Sequence, residues 1–208
     1  MGQIPSQSLS KESPAGQTQW QRMLDAMVAS CAEKTYAATT IADIVTRAGV
    51  SRATFYKHFA NKRACLDAAV DASLEVMGAV ARESASGTES GPERVRKAVT
   101  AALELMAAEP KYTRLVVIEA VSADPSLIDR FRALAMSGLK AIYDEDDRAP
   151  VSDSALRGAF GQAQVLIANK MLTEENGSLT ELLPDLVYIS VRPFAGAAEA
   201  MKQAQLAR

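Results

Sequence analysis

Residues 39–62, TTIADIVTRAGVSRATFYKHFANK, contain the pattern that decides the fold. The apolar positions in the first half of this stretch recur at helical spacing. Gly49 ends that first helix, because a residue without Cβ readily adopts the left-handed conformation that a helix exit requires. Ser51 then caps a second helix, in which Phe55 and Phe59 lie four residues apart on one face. Two short helices joined by a tight turn predict a helix-turn-helix.

The second helix of this motif presents a polar face to solvent. With both phenylalanines pointing inward, a rotation of ~100° per residue places Ala53 and Lys57 almost directly outward. Long cations and hydroxyl groups on an exposed helix suit contacts to base edges and phosphates in the DNA major groove. A following helix N-terminus beside a lysine adds a potential phosphate site. We therefore predict DNA contacts from Thr40, Ser51, Arg52, Ala53, Thr54, Tyr56, Lys57, His58 and Lys62. His58 alternatively caps a helix or packs locally.

Positive charge is concentrated in the same part of the chain. Residues 39–63 carry +4, from five basic side chains against one acidic side chain. Residues 1–38 balance to zero, so that residues 64–208 carry −6 in a chain whose total is −2. A basic module on an acidic body is the charge pattern expected of a protein that binds phosphates.

The string T-x-x-D-I-x-x-x-A-G-V-S-x-x-T-F-Y-x-H-F-x-N-K, from Thr40 to Lys62, resembles the DNA-binding signature of the TetR (tetracycline-repressor) family of bacterial regulators. The resemblance implies an all-α fold, in which a three-helix DNA-binding head with a helix-turn-helix precedes a larger helical domain. We predict a disordered tail over residues 1–17, a DNA-binding domain over residues 18–63, and a ligand-binding and dimerisation domain over residues 64–208.

The remainder of the chain shows helical periodicity throughout. Thr18 with Gln21, and Ser178 with Glu181, predict capping boxes. Pro193 is expected to kink or restart the last helix, because proline lacks a donor N–H. The resemblance implies that the last two long helices form a four-helix bundle with those of a second copy. Alternatively, their apolar faces serve only the core of the monomer.

Composition is that of an ordinary globular protein, with 48% hydrophobic and 23% charged residues. No run of about 18 apolar residues is present, and the first residues do not resemble a secretory signal, so we expect a cytoplasmic protein without a membrane span. Cys31 and Cys65 occupy apolar helical positions and are expected to be buried thiols. The acidic run from Asp144 to Asp147 is expected to be a solvated loop.

An enzyme is disfavoured by the residues that the chain lacks. The one histidine, His58, lies beside the recognition helix, which argues against Ser-His-Asp, Cys-His and His-rich metal arrangements, and no glycine-rich phosphate loop precedes a helix. Glu119, within the apolar run RLVVIEAV, is a candidate buried carboxylate, but one acid does not make a catalytic pair. We predict no cofactor and no metal. The alternatives are a DNA-binding regulator without a small ligand and, with less support, an enzyme of unrecognised type.

The predicted function is a repressor that binds a palindromic DNA operator as a homodimer and is released by a small apolar or neutral molecule. The resemblance places the ligand pocket among the fourth to eighth helices. Flexible methionines, aromatic rings and a few amides are typical of such a pocket. The candidate ligand-binding residues are Met77, Met106, Tyr112, Leu115, Phe131, Phe160, Gln164 and Asn169. Each of them could instead fill core or face water.

Overall fold

The computed structural model describes residues 18–87, 90–143, 151–173 and 178–207. Within these ranges the chain is helical and has no strand, which confirms the predicted all-α class. The predicted tail and the acidic run at residues 144–147 lie outside the described residues, as do residues 88–89. None of the described helices is long and apolar enough to cross a membrane.

The described helices follow in chain order. The first five are α1 (Gln19–Ala38), α2 (Ile41–Ala48), α3 (Arg52–His58), α4 (Lys62–Ser84) and α5 (Gly91–Ala108). A nearly continuous helical stretch follows, made of α6 (Pro110–Arg114), a π turn (Leu115–Glu119) and α7 (Ala120–Ala123). The last elements are α8 (Ser126–Tyr143), α9 (Asp153–Thr173), a 3₁₀ turn (Leu179–Leu182) and α10 (Leu183–Gln205).

Two compact units divide the chain. The head unit contains the residues up to Val76 together with Lys111–Pro125, and the body unit contains Met77–Pro110 together with Ser126–Arg208. Helix α4 therefore begins in the head unit and ends in the body unit. The boundary predicted between residues 63 and 64 separates DNA binding from ligand binding and dimerisation. It is a division by function, which differs from these compact units, and it stays a prediction.

The core of the head unit forms where α1 and α4 place their apolar stripes. Met23, Met27, Cys31 and Leu66 are almost completely buried, as is Cys65. The prediction of two buried thiols is confirmed. Burial disfavours the thiolate and raises the pKa of Cys31 to about 11 and that of Cys65 to about 12.

The body unit has a separate core in which α5 and α10 pack side by side. Val95, Val187 and Val191 are fully buried there. Tyr143 closes one side of this core by stacking on Phe194, with ring centroids 3.9 Å apart.

Local sequence signals explain most helix ends. Thr18 and Gln21 form the predicted capping box, and Asn61 accepts a hydrogen bond from the Ala64 N–H at 2.9 Å. The second predicted capping box is wrong. Ser178 accepts from the Thr180 N–H and begins a 3₁₀ turn, while Glu181 binds the Lys170 ammonium at 2.6 Å instead of returning to the cap.

The last helix is interrupted as predicted, although not at the proline itself. Pro193 lies inside α10, and the backbone leaves helical geometry at Gly196, where φ is +79°. Glycine tolerates this positive φ because it has no Cβ. Proline disturbs the turn on its N-terminal side, whereas the break lies three residues C-terminal to Pro193, so the glycine and not the proline accounts for its position.

Candidate nucleic-acid interface

The helix-turn-helix is formed by α2, a tight turn and α3. Thr40 and Asp43 form a reciprocal capping box at the start of α2. Gly49 ends α2 with φ +62°, and the Val50 N–H donates back to the Val45 carbonyl. Ser51 Oγ then accepts from the Thr54 N–H at 3.0 Å and begins α3. Both helix starts are therefore fixed by side chains of the motif itself.

The inner face of α3 anchors the helix in the core of the head unit. Phe55 is fully buried and Phe59 is 4% exposed, and their rings lie 5.5 Å apart. The Tyr56 ring packs edge-on against Phe55 at 5.6 Å while remaining 55% exposed. Burying two large aromatic side chains stabilises the orientation of a helix that is otherwise too short to be stable alone.

The outer face of α3 is the polar surface that the sequence predicts. Arg52, Ala53, Tyr56, Lys57 and His58 are exposed on a helix of seven residues, and Thr54 is half-buried beside them. The small side chain of Ala53 leaves room for another molecule to approach the helix closely. The cations of Arg52 and Lys57 can contact that molecule on either side of Ala53. Such a surface fits the major groove of DNA in size and chemistry.

The sequence match to known families falls on the same residues. Residues 23–69 match the family described as bacterial regulatory proteins, tetR family. The chain carries a tetR-family DNA-binding domain. Its helix-turn-helix lies at the centre of the matched segment, and the family consists of DNA-binding transcriptional regulators rather than enzymes. The predicted resemblance is thereby confirmed.

Solved structures of transcriptional regulators share the fold of most of this chain. The transcriptional regulator FadR from Bacillus subtilis, in complex with stearoyl-CoA, is 16% identical, with a TM-score of 0.69 over 85% of this chain and 98% of FadR. SmeT, the repressor of the multidrug efflux pump SmeDEF of Stenotrophomonas maltophilia, is 17% identical, with a TM-score of 0.67 over 88% of this chain and 92% of SmeT. The tetR regulator TylP from Streptomyces fradiae is 21% identical, with a TM-score of 0.61 over 88% and 90%. No curated protein matches the chain.

Most cations of the tetR-family domain are engaged within the protein. Arg47 pairs with Glu33, while Arg63 binds Asp67 at 2.8 Å and Asp124 at 2.7 Å. The hydrogen bonds to the two carboxylates favour the charged guanidinium and raise the pKa of Arg63. The net charge of +4 therefore overstates the charge that is available to a phosphate. Within the described residues, the exposed Arg52 and Lys57 form no ion pair.

Lys62 contributes to the structure of the head unit. Its ammonium donates to the Tyr36 carbonyl at 2.8 Å and to the Thr39 carbonyl at 2.7 Å, and it lies 4.1 Å from the centre of the Tyr36 ring. These contacts close the end of α1 onto the start of α4. A phosphate contact of Lys62 stays a prediction. In the protein itself, the Lys62 ammonium binds two backbone carbonyls at the end of α1.

The candidate ligand residues fall in both units. Tyr112 and Leu115 belong to the head unit, where the Tyr112 hydroxyl donates to Asp25 at 2.7 Å and Leu115 is fully buried. In the body unit, Phe131 and Phe160 pack edge to face with centroids 5.0 Å apart. The remaining candidates there are the buried Met106, the half-buried Met77 and Gln164, and the exposed Asn169.

A groove between α8 and α9 in the body unit has a volume of about 380 Å³. Charged side chains dominate it, among them Arg132, Lys140 and Arg157. Two of its cations are neutralised by neighbours, because Arg132 pairs with Asp129 and Lys140 pairs with Asp153. None of the candidate ligand residues lines this groove, so it is not the apolar pocket that the sequence predicts. The described ranges contain no group of three or more side chains suited to hold a metal ion.

Sequence analysis missed the residues that hold the end of α1. Thr35 has a positive φ, Glu119 accepts from the Tyr36 N–H, and Arg114 pairs with Glu119. The only signal in the sequence is the carboxylate of Glu119 within an apolar run. It indicates a buried acid that requires polar partners, but not which partners they are.

Proposed function

We propose that the protein is a repressor that binds a twofold-symmetric DNA operator as a homodimer and is released by an apolar or neutral small molecule. The observation that carries the proposal is the exposed face of α3, on which two cations without ion pairs flank a small residue. The rest of the helix-turn-helix supplies rigid support for this face.

In this proposal Lys57 contacts a base edge and Arg52 contacts a phosphate or a second base. Lys57 lies opposite the buried Phe55 and Phe59, on the exposed face of α3. Arg52 is in the first turn of α3, where N–H groups of the helix also favour an anion. Ser51, Thr54 and Tyr56 offer hydroxyl groups for phosphate oxygens beside them.

A second copy of the chain is proposed to pack on α9 and α10. Val165 and Leu172 are 58% and 61% exposed on α9, seven residues apart and therefore on one face, and Met201 on α10 is 51% exposed. A Cβ built at Gly158 or Gly161 would meet nothing within 4 Å. Such an open, apolar surface with small residues permits close helix contact.

A dimer supports operator binding because two recognition helices then contact two half-sites about one helical turn, ~34 Å, apart. The interface is tested by Val165→Glu, with Ser137→Glu as the matched control, which adds the same charge at an exposed position of α8. We expect Val165→Glu to shift the protein to monomers in sedimentation velocity and Ser137→Glu to remain dimeric. A dimer that is unaffected by Val165→Glu would place the interface elsewhere.

The proposed effector is a neutral or apolar molecule held in the body unit. The edge-to-face pair of Phe131 and Phe160, with Met106 buried in the same unit, offers flexible and aromatic surface for such a ligand. The Bacillus subtilis FadR structure contains stearoyl-CoA, an example of a ligand with a long apolar chain in a protein of this fold. The alternative is a regulator without a small ligand, which would be favoured if no binder altered operator affinity.

The deciding experiment is selection of binding sites from random duplex DNA, followed by affinity measurements over a range of salt concentrations. With Lys57 on a base edge, Arg52 alone on a phosphate predicts two neutralised phosphates per dimer and a slope of log affinity against log salt of about −2. If Lys57 contacts a phosphate as well, the slope becomes about −4. Full use of all five basic residues would give about −9. Selected sites without twofold symmetry, or a flat salt dependence, would contradict the proposal.

The assignment of Lys57 is tested by Lys57→Ala on operator and scrambled duplexes. We expect a loss of about 1–3 kcal/mol on the operator and a smaller loss on scrambled DNA, with relaxed preference at one position of each half-site. Lys111→Ala, which removes an equally charged and exposed side chain from α6, outside the helix-turn-helix and outside the proposed dimer surface, is the matched control. Equal losses on both duplexes would show that Lys57 contacts only phosphates.

A further inference from the structure

The end of α1 adopts a backbone conformation that its sequence does not favour. Thr35 has φ +72° and ψ 159°, which interrupts the helix three residues before its last residue, Ala38. Among the described residues, it is the only non-glycine residue with a positive φ. This region of the backbone map is accessible almost only to glycine, and a β-branched residue is strained there. Such strain persists only where surrounding contacts hold it.

Glu119 supplies one of these contacts from a distant part of the sequence. Its Oε2 atom accepts from the Tyr36 N–H at 2.8 Å, directly after the strained residue. The side chain is buried, at 3% exposed for the residue, and its Oε1 atom lies 3.2 Å from the Arg114 guanidinium. A charge-assisted bond in a buried site is stronger than one between neutral groups.

The π turn explains how Glu119 reaches this position. The Ala120 N–H donates to the Leu115 carbonyl, a hydrogen bond of five-residue spacing. The extra residue in such a turn brings side chains five apart, here Arg114 and Glu119, towards the same face of the helix. Turns of this kind are rare and often mark functional sites.

The other side of the strained segment is held by Lys62 and Thr39. The ammonium of Lys62 binds the carbonyls of Tyr36 and Thr39, and the Thr39 hydroxyl donates to the Thr35 carbonyl at 2.7 Å. The capping residue of α2, Thr40, follows at once. The conformation at Thr35 thus sets the direction in which the chain enters the helix-turn-helix.

We infer that Glu119 is a positioning residue for DNA binding, which holds the strained end of α1 and with it the orientation of α2 and α3. The inference rests on the proposed DNA binding. Asp124, at the end of the same segment, binds Arg63 at the start of α4, the element that follows α3. Residues 114–124 therefore bind the chain on both sides of the helix-turn-helix, at Tyr36 and at Arg63. A displacement of residues 114–124 changes the orientation of the helix-turn-helix.

The test uses the full chain with Glu119→Leu, Glu119→Gln, Thr35→Gly and the double variant Glu119→Leu/Thr35→Gly. Leucine removes the acceptor of the Tyr36 N–H, whereas glutamine keeps one. Glycine at residue 35 adopts the positive φ without strain, so that the end of α1 no longer depends on Glu119. The readouts are operator affinity and hydrogen exchange of the peptide over residues 33–40.

Glu119→Leu is expected to weaken operator binding by about 10-fold or more, the scale of one strained residue that is no longer held. It should also speed exchange over residues 33–40 while residues 23–31 stay protected. Glu119→Gln should remain within about threefold of the parent protein. Thr35→Gly should restore operator binding in the double variant, which a defect in packing alone would not allow.

Two outcomes would overturn the inference: unchanged operator binding and exchange in Glu119→Leu, or a double variant that binds as weakly as Glu119→Leu. Failure of the proposed function is distinguishable from both. In that case the parent protein selects no operator, while the exchange of residues 33–40 still measures whether Glu119 holds the end of α1.

Discussion

Replacing Lys62 by methionine separates a structural role from a role in phosphate binding. Methionine keeps most of the apolar stem of lysine and removes the ammonium, which makes two hydrogen bonds of 2.8 and 2.7 Å to backbone carbonyls and lies 4.1 Å from the centre of the Tyr36 ring. Each hydrogen bond from a charged donor contributes about 1.5–3 kcal/mol when fully buried, and a cation over an exposed ring adds about 0.5–1 kcal/mol.

The expected loss of stability is smaller than the sum of these contributions. Lys62 is only half-buried, so water replaces part of each contact in the variant. We therefore expect Lys62→Met to lower the free energy of unfolding by about 2 kcal/mol. For a chain of this size that corresponds to a decrease in Tm of about 4–8 °C.

The assay combines thermal unfolding with operator binding at several salt concentrations. If Lys62 acts only within the protein, Lys62→Met lowers Tm and leaves the slope of log affinity against log salt unchanged. If Lys62 contacts a phosphate, the slope decreases in magnitude by about 0.9 for each subunit. Lys57→Met is the matched control, because its exposed side chain has no ion pair within the described residues and its removal should change Tm by no more than about 2 °C.

An unchanged Tm together with a reduced salt slope would refute the structural reasoning. It would mean that the two carbonyls are satisfied equally well by water and that the ammonium turns towards DNA. A lower Tm together with a reduced slope would show that one ammonium serves both tasks, since lysine has three donors.

Four further outcomes follow from the head unit. Phe55→Ala should destabilise the protein by about 3–5 kcal/mol in chemical denaturation, because the ring is fully buried. Gly49→Ala should cost about 1–2 kcal/mol through its positive φ alone, since the added Cβ would meet only Arg22 at 3.8 Å. Lys34 and the Thr40 cap lower the pKa of Asp43, so its contribution to stability is present at neutral pH and is lost as the pH falls below about 4; Asp43→Asn should flatten this acid limb of a stability–pH curve. The raised pKa values of the two cysteine thiols, about 11 and about 12, predict labelling by a maleimide at pH 7–8 only after unfolding.

The features that the sequence predicts correctly depend on neighbouring residues. The position of α3 and its two faces follow from the spacing of Phe55 and Phe59, and its start follows from Ser51. Gly49 ends α2 for a reason that is local to the backbone. Each of these signals acts within about one helical turn, so a single sequence is sufficient to find them.

The predictions that failed or remain open depend on contacts between distant residues. Sequence analysis places Lys62 beside a helix N-terminus, but it does not show that α1 ends with two carbonyls directed at the ammonium. It counts five cations in the basic segment, but it does not show that Arg63 reaches Asp124, 61 residues away. The ligand pocket is the extreme case, because its lining depends on how several long helices pack.

The strained end of α1 shows why such contacts escape prediction from sequence. Threonine has no preference for a positive φ, and nothing near Thr35 in the sequence requires one. The conformation exists because a carboxylate 83 residues away from Tyr36 meets its N–H and because Lys62 holds the carbonyl of the same residue. A residue that violates its local preference and is held by distant polar groups is the place at which a change elsewhere in the fold can alter the helix-turn-helix. The sequence elements that determine the recognition surface are therefore local, whereas those that orient it come from residues 114–124.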